Sequence, residues 1–143
     1  MSGSSDEIVA AALTWIGTPY RHQASTLGAG CDCLGLVRGV WRALYGSEPW
    51  VVPPYRAGWR DAGEGLREAA ERFLDPAHDL APGRVVLFRL TRTLPARHCG
   101  IMLAPDRFAH AQERIGVVAA DLTESWVRRV AGVFAFPDLP PPA

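Results

Sequence analysis

The most informative segment of the chain is residues 31–46, which read CDCLGLVRGVWRALYG. The pattern predicts a helix that begins near Asp32 or Cys33 and ends at Gly46, a residue type well suited to terminate a helix. Cys33 therefore lies at a predicted helix N-terminus, where the helix dipole and unsatisfied amide groups favour a negatively charged sulfur. The apolar residues of this helix recur at helical spacing and make one wide buried face; they are Leu36, Val37, Val40, Trp41 and Leu44.

Two further helices are predicted in the N-terminal half. The first runs from Asp6 to Trp15, with Ser5 or Asp6 as its N-cap, because apolar residues recur there with helical spacing. The other runs from Asp61 to Leu74 and places its apolar residues on one side. All three predicted helices are thus amphipathic and need a common apolar surface to pack against.

The C-terminal half has a different pattern of apolar and turn residues. After Asp75-Pro76, which is expected to end the third helix, short apolar segments alternate with turn residues, as is typical of antiparallel strands. This order predicts an α+β fold in which N-terminal helices pack on a C-terminal antiparallel β-sheet. The length of 143 residues fits one domain, assigned to residues 1–136, followed by a Pro-rich tail at 137–143 that is expected to be extended and loosely attached. The predicted strands are Val85–Leu90, His98–Leu103, Arg107–Ala111, Ile115–Ala120 and Val130–Phe136.

Composition excludes several classes of function. The 15 basic and 15 acidic residues give a formal net charge of zero, and no dense basic run predicts a nucleic-acid partner. No apolar run approaches the ~20 residues that span a bilayer, so membrane insertion is not expected. The first residues lack the basic start and apolar stretch of a secretory signal, which predicts synthesis in the cytoplasm without such a signal.

Four histidines offer possible bases for a thiol nucleophile. His98 begins one predicted strand, and His110 lies near the end of the next. An antiparallel turn at residues 104–106 would bring these two imidazoles close together on one face of the sheet. That arrangement suits a general base, His98, oriented by a second polar group, His110. By contrast, His22 is expected in a loop and His78 at the surface.

The cysteines allow other interpretations. The chain has three cysteines, which is an odd number and too few for a disulfide scaffold. Taken alone, Cys33 could be a small buried core residue. A zinc site drawn from Cys31, Cys33, His98, Cys99 and His110 is a rival. However, C-x-C is tighter than the usual zinc spacing, and Cys99 should point away from His98 in a strand. We therefore expect no metal or cofactor.

For several residues the sequence allows two interpretations. Gly35 weakens the first turn of the predicted helix. The glycine either allows a substrate or a neighbouring segment to come close, or it serves packing alone. Cys31 either packs in the core or forms a reversible disulfide. The aromatic residues Trp50, Tyr55 and Trp59 either line a substrate groove or pack their Pro-rich loop onto the domain.

Four segments together resemble the NlpC-type cell-wall endopeptidases. They are GTPY at residues 17–20, CDCLGLV at 31–37, HCGI at 98–101 and FAHA at 108–111. The similarity runs from about residue 8 to residue 136, which is almost the whole chain. Within that family the sequence is most similar to the branch encoded with phage tails and gene-transfer agents.

The resemblance implies a reduced papain-like fold and a cysteine peptidase. It assigns Cys33 as nucleophile, His98 as general base and His110 as the orienting third member. It also places Tyr20 near the oxyanion site and gives Asp32 a hydrogen bond to substrate or to loop backbone. The implied substrate is the peptidoglycan stem peptide, usually cut at the γ-D-glutamyl–diaminopimelate linkage, without metal or cofactor.

The phage-tail likeness implies a delivery route. The protein would join a phage-like particle through tail-tip or baseplate partners, act in the target cell envelope and help the particle cross the cell wall. Leu34 stands where relatives often have Ser, and Arg84 where they often have Asp; neither position makes or breaks bonds. The alternatives are a non-catalytic tail-tip or cell-wall-binding component and a zinc-binding domain.

Overall fold

The computed structural model describes residues 4–49 and 65–138. In this part of the chain, most helical residues precede the main sheet, as predicted, and one short helix lies between its last two strands. The helices are α1 (Ser5–Leu13), α2 (Cys33–Tyr45), α3 (Gly65–Phe73) and α4 (Glu124–Arg128). The strands are β1 (Ser25–Thr26), β2 (Gly30–Cys31), β3 (Asp75–Ala77), β4 (Val85–Phe88), β5 (His98–Ala104), β6 (Arg107–Gln112), β7 (Gly116–Asp121) and β8 (Val130–Ala135).

The six later strands form one sheet in the order β3-β8-β4-β5-β6-β7, and every neighbouring pair is antiparallel. Strands β1 and β2 form a separate short hairpin just before α2. Helix α2 packs against β5 and β6, and α1 packs against α2 and β5. The α+β fold with an antiparallel sheet is therefore confirmed.

The two faces of the sheet carry separate apolar clusters. Because side chains alternate along a strand, Leu87 and Ile101 point to the face covered by the helices, where they join Leu36, Val40 and Trp41 of α2 in the main core. The predicted core position of Trp41 is confirmed. The other face carries a smaller cluster of Val86, Phe88, Met102 and Phe108, on which Trp126 of α4 packs.

The first helix differs from the prediction at both ends. Its N-cap is Ser4, not Ser5 or Asp6, and Ser4 and Glu7 make a reciprocal capping box in which each side chain accepts from the other residue's backbone amide. The helix ends at Leu13, so the predicted continuation to Trp15 is wrong. No helix in the described ranges is both long and apolar enough to cross a membrane.

The later elements also correct the prediction in detail. Strand β4 ends at Phe88, and β7 begins at Gly116, one residue after the exposed Ile115. Gly116 has a φ of 109°, which a turn at this place requires. Strand β3 and helix α4 were not predicted. The third helix ends at Phe73, just before Asp75-Pro76 as expected, and that dipeptide also opens β3.

Several predictions concern segments that are only partly described. The predicted start of the third helix at Asp61 and the aromatic residues Trp50, Tyr55 and Trp59 lie outside the described residues, as do residues 139–143 of the tail. At the start of the tail, the carbonyl oxygen of Pro137 accepts a hydrogen bond from the Tyr45 hydroxyl. The first residue of the tail is thereby attached to α2.

Candidate active site

The N-terminus of α2 lies beside a cleft of about 570 Å³. The cleft is bounded by the loop before α2, by the first residue of β5, by the end of β6 and by α4. It contains all five residues that the sequence singled out, namely Tyr20, Asp32, Cys33, His98 and His110. The structure thus brings together segments that are far apart in the chain.

Asp32 fixes the start of α2. It is the N-cap, and its Oδ1 accepts a hydrogen bond of 2.8 Å from the backbone amide of Gly35. Its Oδ2 accepts a second bond of 2.8 Å from the amide of Gln23. Of the two roles the resemblance implied for Asp32, the structure contains the bond to loop backbone. A Cβ on Gly35 would lie 1.9 Å from the carbonyl oxygen of Ala24, so the glycine lets this loop pack against the helix.

Cys33 is the first residue of α2 and is almost wholly buried, with 7% of its surface exposed. A hydrogen bond from the Cys99 thiol lowers the pKa of Cys33, and the hydrogen bond and charge of His98 lower it further. Together they outweigh the opposing effect of burial and bring the pKa of Cys33 to about 5. The Cys99 sulfur also lies 3.3 Å from the Cys33 carbonyl oxygen. The environment of Cys33 therefore favours the thiolate form near neutral pH.

His98 and His110 contact each other through their ring nitrogens. His98 Nε2 lies 2.8 Å from His110 Nδ1, so the predicted proximity of the two imidazoles is confirmed. Burial, with a smaller effect from His98, lowers the pKa of His110 to about 4, which keeps His110 neutral near pH 7. A neutral His110 accepts the proton of His98 Nε2, which leaves His98 Nδ1 to face Cys33.

The close approach of β5 and β6 depends on Gly100. A Cβ at this position would lie 2.8 Å from the carbonyl oxygen of Ala109 and 3.4 Å from the Cβ of His110. Gly100 is two residues after His98, so both positions point to the same face of the strand. The glycine thus leaves room for the side chain of His110 to reach that of His98.

Tyr20 is held beside the start of α2 by backbone hydrogen bonds on either side of it. The Arg21 amide donates to the Cys31 carbonyl (3.1 Å), and the Cys31 amide donates to the Pro19 carbonyl (3.0 Å). Burial, followed by the negative charge of Cys33, raises the pKa of Tyr20. Its hydroxyl therefore stays protonated and can donate a hydrogen bond into the cleft.

The remaining cysteines have a different character. Cys31 is fully buried in the main core, and burial raises its pKa to about 12. Cys99 is buried on the helix-covered face of the sheet, and its hydrogen bond to Cys33 raises its pKa well above the usual value. Across residues 4–49 and 65–138, no three His, Cys, Asp or Glu side chains are grouped so as to hold a metal ion.

Trp126 is a cleft residue that the sequence analysis missed. Its ring centroid lies 4.8 Å from that of Phe88, 5.1 Å from that of Phe108 and 5.4 Å from that of His110. It forms a wall behind the imidazole pair. Helix α4 is too short to show a periodic pattern, and the only local signal is Thr123, which caps it.

Comparisons with known proteins identify the family of the chain. Residues 17–134 match the NlpC/P60 family. The chain belongs to the NlpC/P60 family. This family includes peptidoglycan endopeptidases, as the name of its Escherichia coli relative, Murein DD-endopeptidase MepS/Murein LD-carboxypeptidase, indicates.

The relatives differ in length and in the activity for which they are named. The Escherichia coli protein is 30% identical over 116 residues, which cover 80% of this chain and 54% of the relative. The gamma-DL-glutamyl hydrolase of Bacillus subtilis is 29% identical over 133 residues, which cover 92% of this chain and 29% of the relative. The chain thus spans about half or less of the curated relatives it matches.

Solved structures show the same fold. An NlpC/P60 family protein from Bacillus cereus superposes with a TM-score of 0.68 at 16% identity, over 98% of this chain and 42% of the other. The NlpC/p60 domain of peptidoglycan hydrolase SagA superposes with a TM-score of 0.63 at 20% identity, over 94% of this chain and 100% of that domain. The predicted reduced papain-like fold is therefore confirmed.

Proposed function

We propose that the chain is a cysteine endopeptidase that hydrolyses an amide bond in peptidoglycan stem peptides. The observation that carries the proposal is a thiol at a helix N-terminus, with its pKa lowered to about 5, in hydrogen-bond contact with an imidazole that a second imidazole orients. A buried cysteine that served only for packing would have a raised pKa, as Cys31 does.

In the first half of the reaction, His98 Nδ1 holds the proton taken from the Cys33 thiol, and the resulting thiolate attacks the carbonyl carbon of the scissile amide. The negative charge that develops on the substrate oxygen is stabilised by the Tyr20 hydroxyl and the backbone amide of Cys33. That amide is one of the first four of α2, which have no acceptor within the helix. Asp32 accepts from the amide of Gly35. We assign the amide of Cys33, at the first position of the helix, to the substrate oxygen.

The second half returns the proton and releases the acyl group. Protonated His98 gives its Nδ1 proton to the leaving amine, and the amine departs. His98 then takes a proton from water, which attacks the thioester and frees Cys33. Throughout, His110 accepts from His98 Nε2 and fixes the tautomer and the ring orientation of the base.

The proposed scissile bond is the γ-D-glutamyl–diaminopimelate linkage. The sequence resemblance supports this choice, and so does the gamma-glutamyl specificity in the name of the Bacillus subtilis relative. The Escherichia coli relative is named for other murein bonds, so the bond has to be measured.

The direct test is digestion of purified sacculi followed by mass analysis of the released muropeptides. We expect the wild-type protein to release fragments that end at D-glutamate, and Cys33→Ala to release none. The matched control is Cys31→Ala, which also removes one buried thiol and should leave the products unchanged. Equal release by wild type and Cys33→Ala would refute the proposal, as would a lack of release by folded wild-type protein.

We further propose that the protein acts from a phage-like particle, through tail-tip or baseplate partners, on the envelope of a target cell. The likeness of the sequence to the phage-tail and gene-transfer-agent branch supports this delivery route. Mass spectrometry of purified particles from the producing strain should detect the chain. Particles that infect or transfer genes normally but lack it would contradict this route.

A further inference from the structure

Three arginines meet at one end of the cleft because of the strand register. Arg89 directly follows β4, Arg97 directly precedes β5 and Arg129 directly precedes β8. The order β8-β4-β5 makes these three strand ends neighbours, and Phe88 at the end of β4 pairs with the first residue of both partners. The Arg89 amide donates to the Arg129 carbonyl, and the Arg97 amide donates to the Phe88 carbonyl, each at 2.9 Å.

The side chains of these arginines line the cleft that contains Cys33. The Arg129 guanidinium stacks over the Trp126 ring, 4.2 Å from its centroid, which holds it in a defined plane. The Nε of Arg89 is buried, and no hydrogen-bond partner for it exists among the residues the structure describes. In the same described ranges, Arg89 and Arg129 have no carboxylate within ion-pair distance.

The cleft also contains two carboxylates. Asp32 and Glu113 line it, and their charges add to the effects of burial and of Cys33 in raising the pKa of Tyr20, so both carboxylates lie near that tyrosine. The cleft therefore presents carboxylates near Tyr20 and guanidinium groups at the ends of β4, β5 and β8. A substrate whose anionic group lay beside the carboxylates would be repelled.

We propose that Arg89, Arg97 and Arg129 form a subsite that binds a free carboxylate of the stem peptide beside the scissile bond. A γ-linked glutamate keeps its α-carboxylate free, and diaminopimelate keeps a second carboxylate, so such a peptide supplies the anion. Guanidinium groups bind carboxylates through paired, charge-assisted hydrogen bonds. The inference rests on the proposed function and adds a determinant of substrate choice to it.

The test compares synthetic peptides that differ in one charge. The parent is L-alanyl-γ-D-glutamyl-diaminopimelate, and in each analogue one carboxylate is replaced by a carboxamide. For the wild type, we expect kcat/KM to fall roughly 10- to 100-fold for one of the amidated peptides, since a charge-assisted hydrogen bond to a carboxylate is lost. In Arg89→Gln and Arg129→Gln, the ratio between those two peptides should shrink toward one.

Arg92→Gln is the matched control because Arg92 is exposed, lies close in sequence and is not part of the cleft lining. It removes the same charge and should keep the wild-type ratio. Equal cleavage of all the peptides by wild-type protein would overturn the subsite while leaving the proposed function intact. An unchanged ratio in both arginine variants, or an equal change in Arg92→Gln, would also overturn it.

A lack of cleavage by the wild type is a separate outcome that refutes the proposed function. The subsite remains testable in that case through binding. Calorimetry on Cys33→Ala should show tighter binding of the parent peptide than of the discriminated amide, by a similar factor. Equal affinities of the two peptides for Cys33→Ala would contradict the subsite. An unchanged affinity difference in the double variant of Cys33→Ala and Arg89→Gln would contradict it as well.

Discussion

At the scale of single residues, the chemistry depends on how differently the three thiols are placed. Cys31 and Cys99 are buried and have raised pKa values, whereas Cys33 combines a helix N-terminus with hydrogen bonds from Cys99 and His98. The unsatisfied amides and dipole of α2 act in the same direction as these bonds. We therefore expect Cys33 to be the nucleophilic sulfur and the other two thiols to be unreactive.

Alkylation with iodoacetamide should therefore modify Cys33 selectively. The thiolate is the reactive form, so we expect the labelling rate to be constant near neutral pH and to fall as the pH drops through about 5. Mass spectrometry of peptides after short labelling at several pH values measures this profile. A midpoint near the ~8.5 of an unperturbed thiol would contradict the assigned environment.

Replacing Cys99 tests the cause of the shift. Cys99→Ala removes the hydrogen bond that contributes most to the low pKa of Cys33, so the midpoint of labelling should move to higher pH. Cys31→Ala is the control and should leave that midpoint in place. If both variants moved the midpoint equally, the cause would be a general loosening of the core and not the loss of the hydrogen bond.

The role of His110 leads to a kinetic prediction. In the proposed mechanism His110 positions His98, so His110→Ala should lower kcat roughly 10- to 100-fold with little change in KM, and His110→Asn, which keeps a polar partner, should lose less. The pH dependence of kcat should also change, because the tautomer of His98 is no longer fixed. Equal loss in both variants with an unchanged pH profile would argue against a positioning role.

At the scale of elements, the start of α2 is stabilised by one carboxylate. Asp32→Ala leaves the buried amide of Gly35 and the part-buried amide of Gln23 without this acceptor and should lower the free energy of unfolding by about 1–3 kcal/mol. Asp32→Asn keeps one acceptor oxygen and should lose less. Urea denaturation followed by circular dichroism measures the difference. Equal stability of wild type and Asp32→Ala would contradict the capping role.

The sequence predicted the long elements well because each contains either a helical apolar period or a continuous apolar run. Helix α2 and strands β4 to β8 show clear apolar patterns, and their bounds are correct to within two residues. The capping box of α1 could have been read from Ser4 and Glu7, which have the spacing of that motif. Its N-cap was misplaced because serine occurs at two adjacent positions.

The short elements could not be predicted from local sequence. Strand β3 contains Pro76, and proline is tolerated in a strand only where its position needs no ladder donor, as at a sheet edge. That edge position is a property of the whole sheet. Helix α4 and the β1–β2 hairpin have too few residues for a period to appear. Trp126 was missed for the same reason. The three cleft arginines were missed because only the strand order β8-β4-β5 brings them together.

At the scale of the whole molecule, the fold assembles the site from four separate segments. The helix layer presents Cys33 beside one end of β5, and the β5–β6 pairing brings His110 to His98. Sequence reasoning could pair the histidines through a single turn, and the predicted α+β order allowed the helix that carries Cys33 to pack against their sheet, but neither gave a contact between the thiol and His98. The grouping of the arginines and of the carboxylates in the cleft became visible only in the structure.

The central claim is that Cys33 itself forms the bond to the acyl group of the substrate. Acid quenching of the protein within its first turnovers on a synthetic stem peptide, followed by peptide mass analysis, tests this most directly. The account predicts that the peptide containing Cys33 gains the mass of the N-terminal product less one water. Substrate cleavage with no such adduct in the first turnovers, or an adduct on another residue, would contradict it.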